Sequence, residues 1–115
     1  MEKDTSGQLT VKVVQGRLTR DLELIGKQDP YVKLEYMGKR YKTRIHEDGG
    51  KEPVWGDVFE IALGSISDEL NFECKDNEVI GARSIGSAVI KGSSLCINNG
   101  VRDWFTIYFE DKSAG

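Results

Sequence analysis

The stretch Gly26-Lys27-Gln28-Asp29-Pro30-Tyr31-Val32-Lys33-Leu34 sets the terms for the rest of the chain. Its first half cannot be regular, because Pro30 pushes Asp29 out of the helical region toward an extended one. Its second half alternates with the period of a strand: Val32 and Leu34 on one face, Tyr31, Lys33 and Glu35 on the other. Proline is tolerated at the first position of a strand, where its missing N–H costs least. A carboxylate, Asp29, is therefore fixed where a loop becomes a strand, at the lip of a sheet. Lips of this kind are where rigid scaffolds display their binding groups.

Six further segments carry the same signature. Leu9 to Val14, Arg40 to Ile45, Val54 to Leu63, Glu69 to Lys75, Ile85 to Ile90 and Trp104 to Phe109 read as strands, separated by turn chemistry. Met37-Gly38-Lys39 reads as a hairpin turn, with glycine supplying positive φ. Two polar loops, Gln15 to Gln28 and Asp76 to Ser84, each contain an apolar cluster, and loops of the first one's length inside compact domains are usually functional or disordered. No amphipathic helix stands out. Seven short strands without helices predict an all-β, antiparallel sandwich. At 115 residues the chain is long enough for one hydrophobic core. The expectation is a flexible tail over residues 1–6 and a single domain over 7–115.

The balance of 38% hydrophobic to 30% charged residues is that of a soluble globule. A formal net charge of −3 argues against non-specific nucleic-acid binding, and no nucleic-acid partner is expected. No apolar run reaches transmembrane length, and Met1-Glu2-Lys3-Asp4-Thr5 does not read as a signal peptide. Cys74 and Cys96 form no metal pattern, and Cys74 is expected as a small core residue. Free thiols without a signal point to an intracellular, cytoplasmic setting, and any membrane contact is then peripheral.

The segments Gly7-Gln8-Leu9-Thr10-Val11, Gly26 to Leu34, Pro53-Val54-Trp55-Gly56-Asp57-Val58-Phe59, Leu70-Asn71-Phe72-Glu73-Cys74-Lys75-Asp76 and Ser84-Ile85-Gly86 together resemble the C2 domain family. The resemblance runs over nearly the whole chain. It implies a Greek-key sandwich of eight strands, in the circular variant called type II, whose loops at one end hold calcium and touch phospholipid. The closing eighth strand is expected to be missing here, because the sequence stops at Ser113-Ala114-Gly115, either as a fragment cut from a longer protein or as a sandwich that tolerates losing an edge strand. The strand Leu9 to Val14 is then expected to keep a free edge, covered by a tail segment or by an added strand.

The same resemblance implies a calcium site, here degenerate. Glu23, Asp29, Asp76 and Glu78 stand at four of its positions, and Arg83 puts a fixed positive charge where a further acid belongs. Calcium is therefore expected to contribute weakly or not at all, with a vestigial site and a calcium-dependent domain as the alternatives. Leu24, Ile25, Val79 and Ile80 occupy positions similar to the family's membrane-inserting tips. Arg40, Lys42 and Arg44, spaced two apart with Lys33 on the neighbouring strand, resemble the basic cluster with which some members bind phosphoinositides.

Catalysis is not expected. His46, beside Glu47 and Asp48, has no serine or cysteine placed as a nucleophile and reads as a surface residue. Gly49-Gly50 lacks the lysine motif and the following helix of a phosphate loop. The expected function is peripheral docking on anionic phospholipid membranes. The alternative is a protein–protein module that uses the free sheet edge.

Overall fold

The computed structural model describes residues 7–19, 27–65, 67–78, 81–95, 104–110 and 112–115. Among the described residues eight strands follow in chain order: β1 Gly7–Gln15, β2 Pro30–Tyr36, β3 Lys39–Lys42, β4 Val54–Leu63, β5 Glu69–Asn77, β6 Ala82–Lys91, β7 Tyr108–Phe109 and β8 Lys112–Ser113. A single helical turn, α1 Gly92–Leu95, follows β6. β1 and β4 form one antiparallel sheet, and β3-β2-β5-β6-β7-β8 the other. Among the described residues no helix is long and apolar enough to cross a membrane.

Period-two alternation builds the core. Leu9 and Val11 of β1 with Ile61 and Leu63 of β4 face Leu34 and Tyr36 of β2 and Leu70 of β5. A second cluster joins Leu18, Val32, Trp55, Cys74 and Ile85 nearer the loop end. Leu34, Leu70 and Ile85 are fully enclosed, and truncating such a residue to alanine typically costs about 2–5 kcal/mol. On β4, Phe59, Ile61 and Leu63 turn inward while Val58, Glu60 and Ala62 are exposed. The turn between β2 and β3 has Met37 and Gly38 both at positive φ, the twist that suits a two-residue hairpin.

Gly56 carries a structural burden. Between Val13 and Gln15 of β1 the ladder skips from Asp57 to Val54, so β4 holds an extra residue there. Gly56, at φ 73°, absorbs it as a bulge.

The structure departs from the sequence reading at the C-terminal end. The regular strand there begins at Tyr108, not Trp104, and Lys112–Ser113, read as tail, returns beside it as an eighth strand. That hairpin extends the larger sheet past β6 and does not reach β1. Ala114 accepts the Thr19 N–H at 2.8 Å, tying the end of the chain to the segment after β1. Among the described strands β1 pairs only with β4. Beside its other edge a groove of about 690 Å3 opens between the sheets, lined by Val11, Val13, Val32 and Phe72 with Trp104 and Phe105 also in its wall.

Candidate functional site

Two regions carry the residues singled out by the sequence: the loop end of the sandwich, and the outer face of the larger sheet.

At the loop end Asp29 and Asp76 are brought together by β2–β5 pairing, which sets Pro30 opposite Asp76. The Asp29 N–H donates to Asp76 Oδ1 at 2.8 Å. Asp29 Oδ1 in turn accepts the Asp48 N–H at 2.8 Å, and its main-chain oxygen accepts the Asn77 N–H. These carboxylates brace the backbone of three segments. Asp76 is fully buried, and its Oδ2 has no hydrogen-bond partner among the described residues. Arg83 stands across the ladder from Asp76, and its Nε–H donates to Glu78 Oε1. Glu23, Leu24, Ile25, Val79 and Ile80 lie outside the described residues.

Calcium takes six to eight oxygens. Among the described residues no three of the His, Cys, Asp and Glu side chains converge to hold a metal. Two carboxylates meet, and a guanidinium covers the third. The described set does not fit a calcium cage.

His46 does more here than a surface residue. It is half-buried, and its Nδ1 accepts the Val54 N–H at 3.0 Å while its own N–H donates to Pro30 O. Trp55 Nε1–H reaches the same Pro30 oxygen at 3.0 Å. The loop after β3 is thus pinned to the start of β2.

On the outer face, register sets Lys33 opposite Lys42 and Glu35 opposite Arg40. It also sets Tyr31 opposite Lys75 and Lys33 opposite Glu73. The Lys42 ammonium lies 5.7 Å from the centre of the Tyr31 ring, a cation–π distance. Burial and the Glu73 charge raise the Tyr31 phenol above its ordinary value, so the ring stays neutral. Lys33 and Arg40 both approach Glu35, at 4.0 and 3.4 Å, and Lys75 approaches Glu73 at 4.0 Å. Lys33, Arg40, Lys42 and Lys75 face two carboxylates, Glu35 and Glu73, which leaves the patch net positive. Lys75 escapes a reading based on neighbours in sequence, because only the β2–β5 register brings it beside Tyr31.

Arg44 does not extend this row. Regular pairing ends at Lys42, because the Val32 N–H turns to Thr43 Oγ1 at 2.9 Å instead of to a carbonyl. Arg44 then gives its N–H to Asp57 Oδ2 and its guanidinium to Asp57 Oδ1. The Gly56 bulge sits immediately before that carboxylate.

The family model described as C2 domain matches residues 7–107. Synaptotagmin-5 of Arabidopsis thaliana is 29% identical over 104 residues, which cover 88% of this chain and 18% of that protein. The chain therefore spans less than a fifth of that relative's length. A solved C2 domain of plant Extended Synaptotagmin 1 superposes with a TM-score of 0.83 at 21% identity, covering 99% of this chain and 90% of that one. The tandem C2 domains of Extended-Synaptotagmin 2, solved with calcium bound, give 0.77 at 21% identity, covering 88% of this chain and 40% of that one. At these identities the two structural likenesses concern the fold.

Proposed function

The chain belongs to the C2 domain family, and on that premise we propose that residues 7–115 form one domain that docks peripherally, inside the cell, on anionic phospholipid. The docking surface is the outer face around Tyr31, Lys33, Lys42 and Lys75, with Arg40 at its margin. The observation that carries the reading is the placement of Lys42 over the Tyr31 ring with Lys33 opposite it in register. Cations held at strand spacing around an apolar ring suit a phosphate headgroup from several sides. Each Lys or Arg near an anionic leaflet contributes about 1 kcal/mol, weakened by salt.

The apolar residues Leu24, Ile25, Val79 and Ile80 add shallow insertion at the loop end in this reading. Calcium, bound by one solved relative, is not required here. Co-sedimentation with vesicles of phosphatidylcholine alone, or carrying phosphatidylserine or a phosphoinositide, tests the proposal. Binding that needs an anionic lipid supports it, and equal recovery with all three vesicle compositions overturns it.

A second reading has its own observation. The edge of β1 beside the groove can accept an extended peptide that inserts alternate apolar side chains. Binding of a partner protein that is lost when proline replaces Val11 or Val13 in a still-folded domain would favour it.

A further inference from the structure

We infer that Arg83 gives the loop end a permanent positive charge in place of a divalent cation, so that docking is not switched by calcium. The inference deepens the docking reading and rests on it for its consequence; its chemistry is tested without lipid.

The β5–β6 ladder carries the argument. Asp76 and Arg83 are opposite each other, and Glu78 lies two residues beyond Asp76 toward the turn. The turn is closed by the Glu78 N–H donating to Gly81 O at 3.1 Å, and over it by the Arg83 Nε–H donating to the Glu78 carboxylate. Three acids belong to this end: Asp29 and Asp76 meet, and Glu78 lies at the adjoining turn. The Asp48 N–H donates to Asp29 Oδ1 and the Asp29 N–H to Asp76 Oδ1, and the guanidinium pairs with Glu78. The acids are thus engaged by groups that belong to the chain.

An arriving divalent ion meets two obstacles. It must displace from Glu78 a guanidinium that cannot lose its proton. It must also reach Asp76 Oδ2, which is buried away from solvent. An arginine on the ladder rung opposite Asp76, paired with Glu78, keeps a positive charge beside these acids at every calcium concentration.

The test is calorimetric titration of calcium into lipid-free wild type, Arg83→Asp and Arg83→Gln, with thermal melts in chelator and in calcium. The wild type should bind no tighter than about 1 mM and melt at the same temperature in both. Arg83→Asp should bind at least about tenfold tighter and melt higher with calcium. Micromolar binding by the wild type overturns the inference. So does a folded Arg83→Asp that stays as silent as the wild type. If Arg83→Asp does not fold in chelator, Arg83→Gln decides. It should melt below the wild type and recover with calcium, and a glutamine variant identical to wild type in both respects overturns the inference. Lipid is absent throughout, so failure of the domain to bind vesicles leaves these outcomes unchanged.

Discussion

Arg44 holds Asp57 twice, with its backbone N–H at 2.8 Å and with its guanidinium at 3.0 Å. Sequence spacing groups Arg44 with Lys42, yet the two residues have different work. Arg44→Gln should lower the melting temperature, by a degree or two because the guanidinium is exposed and screened, and leave vesicle binding near wild type. Lys42→Gln should do the reverse. Melting curves and sedimentation on the two variants separate the roles. Loss of vesicle binding in Arg44→Gln at unchanged stability would return Arg44 to the docking face.

The same pair gives a pH dependence with a definite sign. Hydrogen bonds from Arg44 hold the Asp57 carboxyl below its ordinary value of 3.8. A depressed native pKa means the pair's contribution is fully present above that ordinary value and is lost as pH falls through the lowered native one. Asp57→Asn should therefore flatten the acid limb of the stability curve and leave its neutral region parallel to wild type. Denaturant melts from neutral pH down to about pH 2 read this directly.

The docking face predicts a graded response. Neutralising two cations at about 1 kcal/mol each weakens partition onto anionic vesicles about thirtyfold. Lys33→Gln with Lys42→Gln should show that loss at moderate ionic strength, and adding Lys75→Gln should deepen it. The change belongs in a sedimentation isotherm, and it should shrink as salt rises. A double variant that binds like wild type at low salt would remove this face from the proposal.

Cys74 should behave as an inert thiol. Burial first, then the Asp76 and Glu73 charges, push it up to about 12, so almost no thiolate exists at neutral pH. Alkylation at pH 8 should track global unfolding, with labelling of Cys74 suppressed in the native protein and prompt in denaturant. Mass spectrometry after a timed pulse distinguishes it from Cys96. Rapid native labelling at Cys74 would mean that this part of the core opens locally.

What the sequence disclosed is what local chemistry decides. Alternation at Val32 and Leu34, at Ile61 and Leu63, and at Leu70, Phe72 and Cys74 is visible residue by residue, and each set does face the core. The turn at Gly38 is equally local. Lys112–Ser113 is too short to show a period, and α1 spans one turn. Side-chain partnership lay further out of reach. The Arg44–Asp57 pair joins residues on either side of a loop and depends on the bulge at Gly56, which strand periodicity does not reveal. Lys75 needs the register of β5 on β2. Asp29 and Asp76 were legible as a pair through family order, but their use as acceptors for backbone N–H groups is a fact of tertiary structure.

The one-sided pairing of β1 has a mechanical meaning. Among the described strands, β1 shares a ladder with β4 alone, whereas β2, β5 and β6 each have a neighbour on both sides. Tension applied through Gly7 is borne by that one seam of backbone bonds, while the wider sheet distributes its load over several. A pull from the N-terminal side should therefore strip β1 first and leave the sheet that carries Tyr31, Lys33, Lys42 and Lys75 still assembled. The face proposed to hold the membrane is the part of the fold built to let go last.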